Sequence, residues 1–314
     1  MPPPQLPSTG CSTPLIDLTL PPLSLFDAPA PAPSRVDGAR ALASDNAFWE
    51  AHQEVARLGR GCFGSVLLVR ERATGHITAA KICASASNSA DDECPLREPE
   101  LLRAARHQHI VELLAVYQSP TTLFLMQEQA CTDLMTHADA QPGGVLSEPE
   151  TQRHLAGLLS AVHHIHGLRI VHRDIKATNV LLSERGEVKL ADFGLAVRLP
   201  EGDALLTSVC GTHDYLAPEM IRCGHGEVEG YGAPVDLWGV GLLLYGLLIG
   251  GNPVERDTDI ATLQAILAGD LSFPPDASLS ADAKALVLGL LVTDPAARLT
   301  AKAAMREPWL LASL

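Results

Sequence analysis

An acid, a base and an amide stand at fixed intervals in one short stretch of this chain. They are Asp174, Lys176 and Asn179, with the base two and the amide five residues after the acid. Apolar residues enter the stretch (Ile170, Val171) and leave it (Val180, Leu181, Leu182), so it reads as a polar loop held between two buried segments. Such a carboxylate can orient a hydroxyl and accept its proton. A second carboxylate, Asp192, follows Val188-Lys189-Leu190-Ala191 and precedes Phe193-Gly194. Together with an amide oxygen it suits a hard cation. Upstream, Gly59, Gly61 and Gly64 form G-x-G-x-x-G. Glycines let a backbone bend over phosphates so that its N–H groups face the oxygens. Dinucleotide sites share this pattern, but in them a helix follows the glycines. Here Val66, Leu67, Leu68 and Val69 follow. They are β-formers and predict a hairpin, which sets the dinucleotide reading aside.

The elements that must position these groups can be read in outline. Strands are predicted on both sides of the glycines, and a turn at Ala73-Thr74-Gly75-His76 returns the chain into Ile77 to Cys83, which bears Lys81. Ser85 to Cys94 reads as a polar loop. A helix is predicted within the stretch Arg97 to Val111, with Glu98 and Leu102 on one face. Pro99 limits it: proline is comfortable only in the first helical turn, so the helix is expected to begin near Glu98 and to be short. Glu148 to Leu168 is an amphipathic helix, with Leu155, Leu158, Leu159, Val162 and Ile165 at three- and four-residue spacing. The uncharged run Leu237 to Val254 contains several glycines and follows Asp236 directly; it reads as a buried core helix and not a membrane span.

Bulk properties bound the rest. A chain of 314 residues with 46% hydrophobic content supports one large or two-lobed domain. A formal charge of −14 argues against nucleic acid or an anionic membrane as the main partner. Seven cysteines without a C-x-x-C pair fit reduced thiols and a cytoplasmic or nuclear location. No metal-ligand spacing stands out, and His163, His164 and His166 read as the end of a helix. Ten of the first 34 residues are proline, so residues 1–48 are expected to form a Pro/Ala-rich disordered tail. They lack the basic start of a signal peptide. Order is expected to begin near Phe48 and Trp49. Within the tail, Leu15 to Leu20 resembles short motifs that bind small ubiquitin-like modifiers by strand addition; the alternative is a patch that docks on the chain's own domain or has no role.

The stretch His172-Arg173-Asp174-Ile175-Lys176-Ala177-Thr178-Asn179, with Asp192-Phe193-Gly194 and Gly211-Thr212-His213-Asp214-Tyr215-Leu216-Ala217-Pro218-Glu219, resembles the eukaryotic serine/threonine protein kinase family. The resemblance runs over about residues 53–312 and leans toward calcium/calmodulin-kinase-like, polo-like or Aurora-like members. It implies an α+β bilobal fold: a five-stranded antiparallel N-lobe sheet with a main helix (53–128) and a mostly helical C-lobe (131–312). It implies magnesium and ATP as cofactors and protein serines or threonines as acceptors.

The resemblance also assigns roles. Asp174 is the expected proton acceptor, Lys176 the γ-phosphate partner, and Asn179 and Asp192 the magnesium ligands. The nucleotide would contact Leu58, Gly59, Arg60, Gly61, Cys62, Phe63, Gly64, Ser65 and Val66 of the glycine loop. Ala79, Leu181 and Asp133 join that set, with the hinge backbone from Glu128 to Ala130 and the Lys81–Glu98 pair. Gln127 would guard the back of the adenine pocket. Thr212 would bridge Asp174 and Lys176, Asp236 would hold the catalytic loop from below, and Glu219 would pair with Arg298. Arg173 would meet a phosphate on Ser208 or Thr207. Thr178 and Gly246 stand where acids that read upstream arginine often sit, which predicts a weak arginine requirement; Leu195 suggests serine acceptors. The competing class is a binding module, a pseudokinase or docking scaffold without efficient turnover. Pro99 is the one departure that favours it, because it decides whether Glu98 can reach Lys81.

Overall fold

Strands crowd the chain before Gln127 and helices crowd it afterwards. The structure is a computed structural model that describes residues 38–61, 64–85, 97–199, 201–202, 205–275 and 279–312. The first half contains β1 (Arg40–Ala41), α1 (Asp45–Ala51), β2 (His52–Gly61), β3 (Gly64–Glu71), β4 (Ile77–Ala84), α2 (Glu98–Ala104), β5 (Leu113–Gln118) and β6 (Thr122–Gln127). The sheet order is β1-β5-β6-β4-β3-β2. Lys81 therefore sits on a strand flanked on both sides, opposite Val66 and Leu125.

This sheet has six strands, one more than expected. The additional strand, β1, runs parallel to β5, with Arg40 opposite Tyr117. Ordered structure thus starts before the expected boundary at residue 48. Two contacts explain why. The Asp45 carboxylate accepts hydrogen bonds from the Ser119, Thr121 and Thr122 hydroxyls. Phe48, only 1% exposed, stacks on Phe124 with ring centroids 3.9 Å apart. Residues 1–37, including Leu15 to Leu20, lie outside the described residues.

The second half holds β7 (Thr132–Asp133), α3 (Leu134–Asp139), α4 (Glu148–Gly167), β8 (Ile170–Val171), β9 (Val180–Leu182), β10 (Val188–Leu190), β11 (Val197–Arg198), α5 (Pro218–Gly224), α6 (Pro234–Ile249), α7 (Asp259–Ala268), α8 (Ala281–Leu290), α9 (Ala301–Ala304) and α10 (Pro308–Leu311). The apolar face expected on α4 is buried in the main core. α6 is apolar all round and packs between α4 and α8, with Trp238 fully buried. No described helix is long and apolar enough to cross a membrane. Gly239 lets α6 approach the backbone before Lys176: a Cβ there would lie 2.8 Å from the Ile175 carbonyl oxygen. The loop with Asp174 lies between β8 and β9. β8 pairs with β11 and β9 with β10, so two short antiparallel ladders fix its ends.

Candidate active site

An ionic chain crosses between the two halves. Lys81 Nζ lies 2.6 Å from Glu98 Oε2 and 2.6 Å from Asp192 Oδ1. It joins α2, the six-stranded sheet and the segment after β10. α2 begins at Glu98 with Pro99 in its first turn and runs only seven residues. The proline shortens the helix without displacing Glu98, because that residue sits at the first helical position. Burial disfavours charge on Lys81, but the two carboxylates outweigh it and hold its pKa above the usual range. Asp192 shows the reverse balance: burial opposes its charge, while the Lys81 ammonium keeps its carboxyl below the usual range. Glu98 is 1% exposed, and burial raises its pKa with Lys81 opposing. Behind the pair, burial pushes the Cys83 thiol up to about 12, which makes it an inert core side chain.

The Asp174 carboxylate is held on both oxygens. Oδ1 accepts from the Thr212 hydroxyl at 2.8 Å and from the Thr212 N–H at 3.2 Å. Oδ2 accepts from Asn179 Nδ2 at 2.8 Å and pairs with Lys176 Nζ at 2.9 Å. Lys176 Nζ also donates to Thr212 Oγ1 at 2.5 Å, so Thr212 bridges the acid and the base. Asn179 Nδ2 donates a second bond, to the Asp174 carbonyl at 2.8 Å. Its amide orientation is therefore set, and its Oδ1 is turned to other use. Asp192 spends Oδ1 on Lys81 and on the Gly194 N–H. An amide oxygen and a carboxylate oxygen then remain, and such hard oxygen donors fit magnesium.

Asp236 supports this loop from α6. Its Oδ1 accepts from the Arg173 N–H at 2.8 Å and its Oδ2 from the His172 N–H at 2.9 Å. His166 Nε2 lies 2.8 Å from Oδ2. Burial works against the charge, but the His166 hydrogen bond and charge lead the terms that hold the Asp236 carboxyl below the usual range. Arg173 has φ +67°, a left-handed backbone that L residues avoid. The Asp236 anchor holds it there, next to Asp174.

Around the cleft, the glycine hairpin closes with Gly61 opposite Gly64. Gly64, at φ +146°, passes so close to β4 that a Cβ would meet the Ile82 carbonyl at 1.9 Å. Gly59, Arg60, Ser65 and Val66 lie on β2 and β3, and Leu58 there is 54% exposed. Cys62 and Phe63 lie outside the described residues. Ala79 on β4 is directly opposite Gln127 on β6, and Leu181 pairs with Asp133 between β9 and β7. In the hinge, the Glu128 N–H donates to Glu112 O and the Cys131 N–H to Leu182 O. The Ala130 N–H has no backbone partner among the described residues. The Glu128 side chain turns to Lys189, at 2.9 Å, and to the Glu112 N–H. Asp133 caps α3 through the Thr136 N–H and hydroxyl, both at 2.9 Å.

Downstream, Arg173 NH1 donates to Ser208 Oγ at 2.7 Å. Tyr231 donates its hydroxyl to the Ser208 carbonyl and accepts from Arg173 NH1 at 3.3 Å. Glu219 and Arg298 form a bidentate pair at 2.7 and 2.8 Å, both nearly buried. Sequence reasoning missed two supporting residues. His172 Nε2 donates to the Ala191 carbonyl, 2.9 Å away, and packs on Phe193; its place just before Arg173-Asp174 was an available signal. Tyr231 carried none, because only the fold brings it beneath Ser208.

Comparison with known proteins agrees with this geometry. The family described as protein kinase domain matches residues 52–310. The chain is 36% identical over 277 residues to the phosphorylase b kinase gamma catalytic chain, liver/testis isoform, of Homo sapiens, covering 83% of this chain and 67% of that one. It is 34% identical over 256 residues to the serine/threonine-protein kinase Aurora-1 of Arabidopsis thaliana, covering 81% and 84%. It is 36% identical over 259 residues to CBL-interacting protein kinase 16 of Oryza sativa subsp. japonica, covering 80% and 55%.

Proposed function

This chain belongs to the protein kinase family as a serine/threonine kinase, and we infer that the cleft between its lobes performs phosphotransfer from magnesium-ATP with the residues described above. The observation that carries the inference is the Glu98–Lys81–Asp192 chain of contacts. In it Lys81 lies against both Glu98 of α2 and Asp192, despite Pro99.

Each residue has a definite task. Magnesium-ATP supplies the phosphoryl group and the charge that polarises it. Lys81 holds the α- and β-phosphates, with Glu98 fixing its direction. Asp192 and the Asn179 amide oxygen would hold the cation. The backbone at Gly59, Gly61 and Gly64 would cover the phosphates, and Leu58, Val66, Ala79 and Leu181 would supply apolar walls for the base. The hinge reads the base edge through its backbone from Glu128 to Ala130, where the Glu128 N–H is already bonded to the Glu112 carbonyl. Asp174 orients the acceptor hydroxyl and takes its proton, and Lys176 neutralises charge on the transferred group. Both carboxylate oxygens of Asp133 are engaged in capping α3. The prediction is a weak arginine requirement and a serine preference; a peptide array with a strict upstream arginine requirement would refute the first part.

The test is phosphotransfer by the full chain compared with Asp174→Asn. The variant keeps the shape of the side chain and loses the proton acceptor. Activity should fall by about a hundredfold to ten-thousandfold, with nucleotide binding retained. Equal activity in the two proteins would refute the assignment, and ATP binding without turnover in either would favour a scaffold.

A further inference from the structure

α3 and α4 are joined by three side chains that phosphotransfer does not use. His137 lies in the last turn of α3; Glu150 and His154 lie one turn apart on α4. The spacing of four residues places the latter two on one helix face. His137 Nε2 lies 2.8 Å from Glu150 Oε1, and His154 Nε2 lies 3.8 Å from the same oxygen. All three ligand atoms fall within 4.8 Å of one another.

A second observation points to a missing ligand. His154 is 7% exposed, and its Nε2, shut off from solvent, has no hydrogen-bond partner. A buried polar atom aimed at other donors without a bond of its own normally marks an unfilled contact. Metal–nitrogen and metal–oxygen bonds of about 2.0–2.2 Å in a tetrahedral site set ligand atoms about 3.3 Å apart. The two observed separations from Glu150, 2.8 and 3.8 Å, bracket that spacing.

We propose that His137, Glu150 and His154 form a binding site for a zinc-class divalent ion, with a fourth position open to solvent. Two imidazoles and one carboxylate select such an ion over magnesium, whereas the oxygen set of Asn179 and Asp192 selects magnesium. The His137 and Glu150 side chains are 28% and 26% exposed, which gives the ion a route in. The ion ties the end of α3 to the first turns of α4. α3 is capped by Asp133, which lies opposite Leu181 of the nucleotide set, so the site bears on the position of the cleft's lower edge. The sequence hides it because the third ligand comes from another helix.

The test is a titration of the chelator-treated full chain with cobalt(II), read by its visible absorption as a tetrahedral reporter, followed by zinc competition against a chromophoric chelator. One equivalent should bind, and zinc should raise the melting temperature. His154→Ala and Glu150→Gln should each weaken binding by about a hundredfold or more and abolish the thermal shift. His137→Ala, at the most exposed of the three, provides the same readout should the buried substitution unfold the chain. His107→Ala, in a separate histidine cluster, should leave binding intact. Binding that is unchanged in the His137, Glu150 and His154 variants would overturn the proposal. So would a wild-type chain that takes up no cobalt or zinc below millimolar concentration.

Discussion

Replacing Asp236 tests whether the catalytic loop is held from beneath. Asp236→Ala removes the acceptor for two buried backbone N–H groups, those of His172 and Arg173. Leaving a buried donor unsatisfied costs about 1–3 kcal/mol each, so about 2–6 kcal/mol in total. At about 2 °C per kcal/mol for a domain of this size, the melting temperature should fall by about 4–12 °C. The effect on turnover has a separate origin. Arg173 holds φ +67° with its N–H anchored on Asp236, and relaxation of that backbone would move Asp174. A displacement of about 1 Å at a reacting group costs about a hundredfold in rate. The assay is steady-state kinetics with melting curves: kcat should fall about a hundredfold, while KM for ATP changes little because Lys81 and the glycine hairpin are untouched. Asp236→Asn keeps one acceptor and should fall between the two. The pH dependence has a defined sign. The folded pKa of Asp236 lies below its unfolded value, so its contribution is present above the ordinary value of about 3.9 and is lost as pH falls through the depressed one. Asp236→Asn should therefore flatten the acid limb of the stability curve. A variant that keeps both kcat and melting temperature would refute the argument.

Three further substitutions probe other parts of the molecule. Lys81→Met should abolish turnover and leave Glu98 buried without its counter-ion. The already raised pKa of Glu98 then rises further, so the variant should lose stability as pH climbs from about 4.3 through that value, which melting curves against pH would show. Glu219→Ala leaves Arg298, 4% exposed, without its partner and should cost about 3–5 kcal/mol in denaturant unfolding; a loss below 1 kcal/mol would contradict it. Ser208→Ala should abolish any activation by phosphorylation of this segment, because Arg173 NH1 already lies against the Ser208 hydroxyl at 2.7 Å; activation that survives the change would place the regulatory phosphate elsewhere.

The site was largely legible in the sequence because its chemistry demands particular residue types at particular spacings. Asp174, Lys176 and Asn179 occupy one loop, so their relation survives without a structure. Pro99 was legible as a limit on α2, but whether Glu98 still reaches Lys81 depended on the placement of the whole helix. β1 was not legible. Two residues cannot display alternation, and their partner strand lies far along the chain. The joining of His137 to Glu150 and His154 was hidden for a similar reason, since helix packing alone sets it. Asp133 shows a role the sequence pattern did not signal, since its carboxylate also caps α3.

The interlock of Asp45 and Phe48 with the edge of the sheet has a practical consequence. The family match starts at residue 52, yet ordered structure begins earlier, with β1 and α1. A fragment cut at the homology border would uncover Phe124, strip β5 of its outer neighbour and leave three hydroxyls without their carboxylate. Ancestry and autonomy thus draw different borders on this polypeptide, and an excised catalytic unit should keep everything from Gly38 onward.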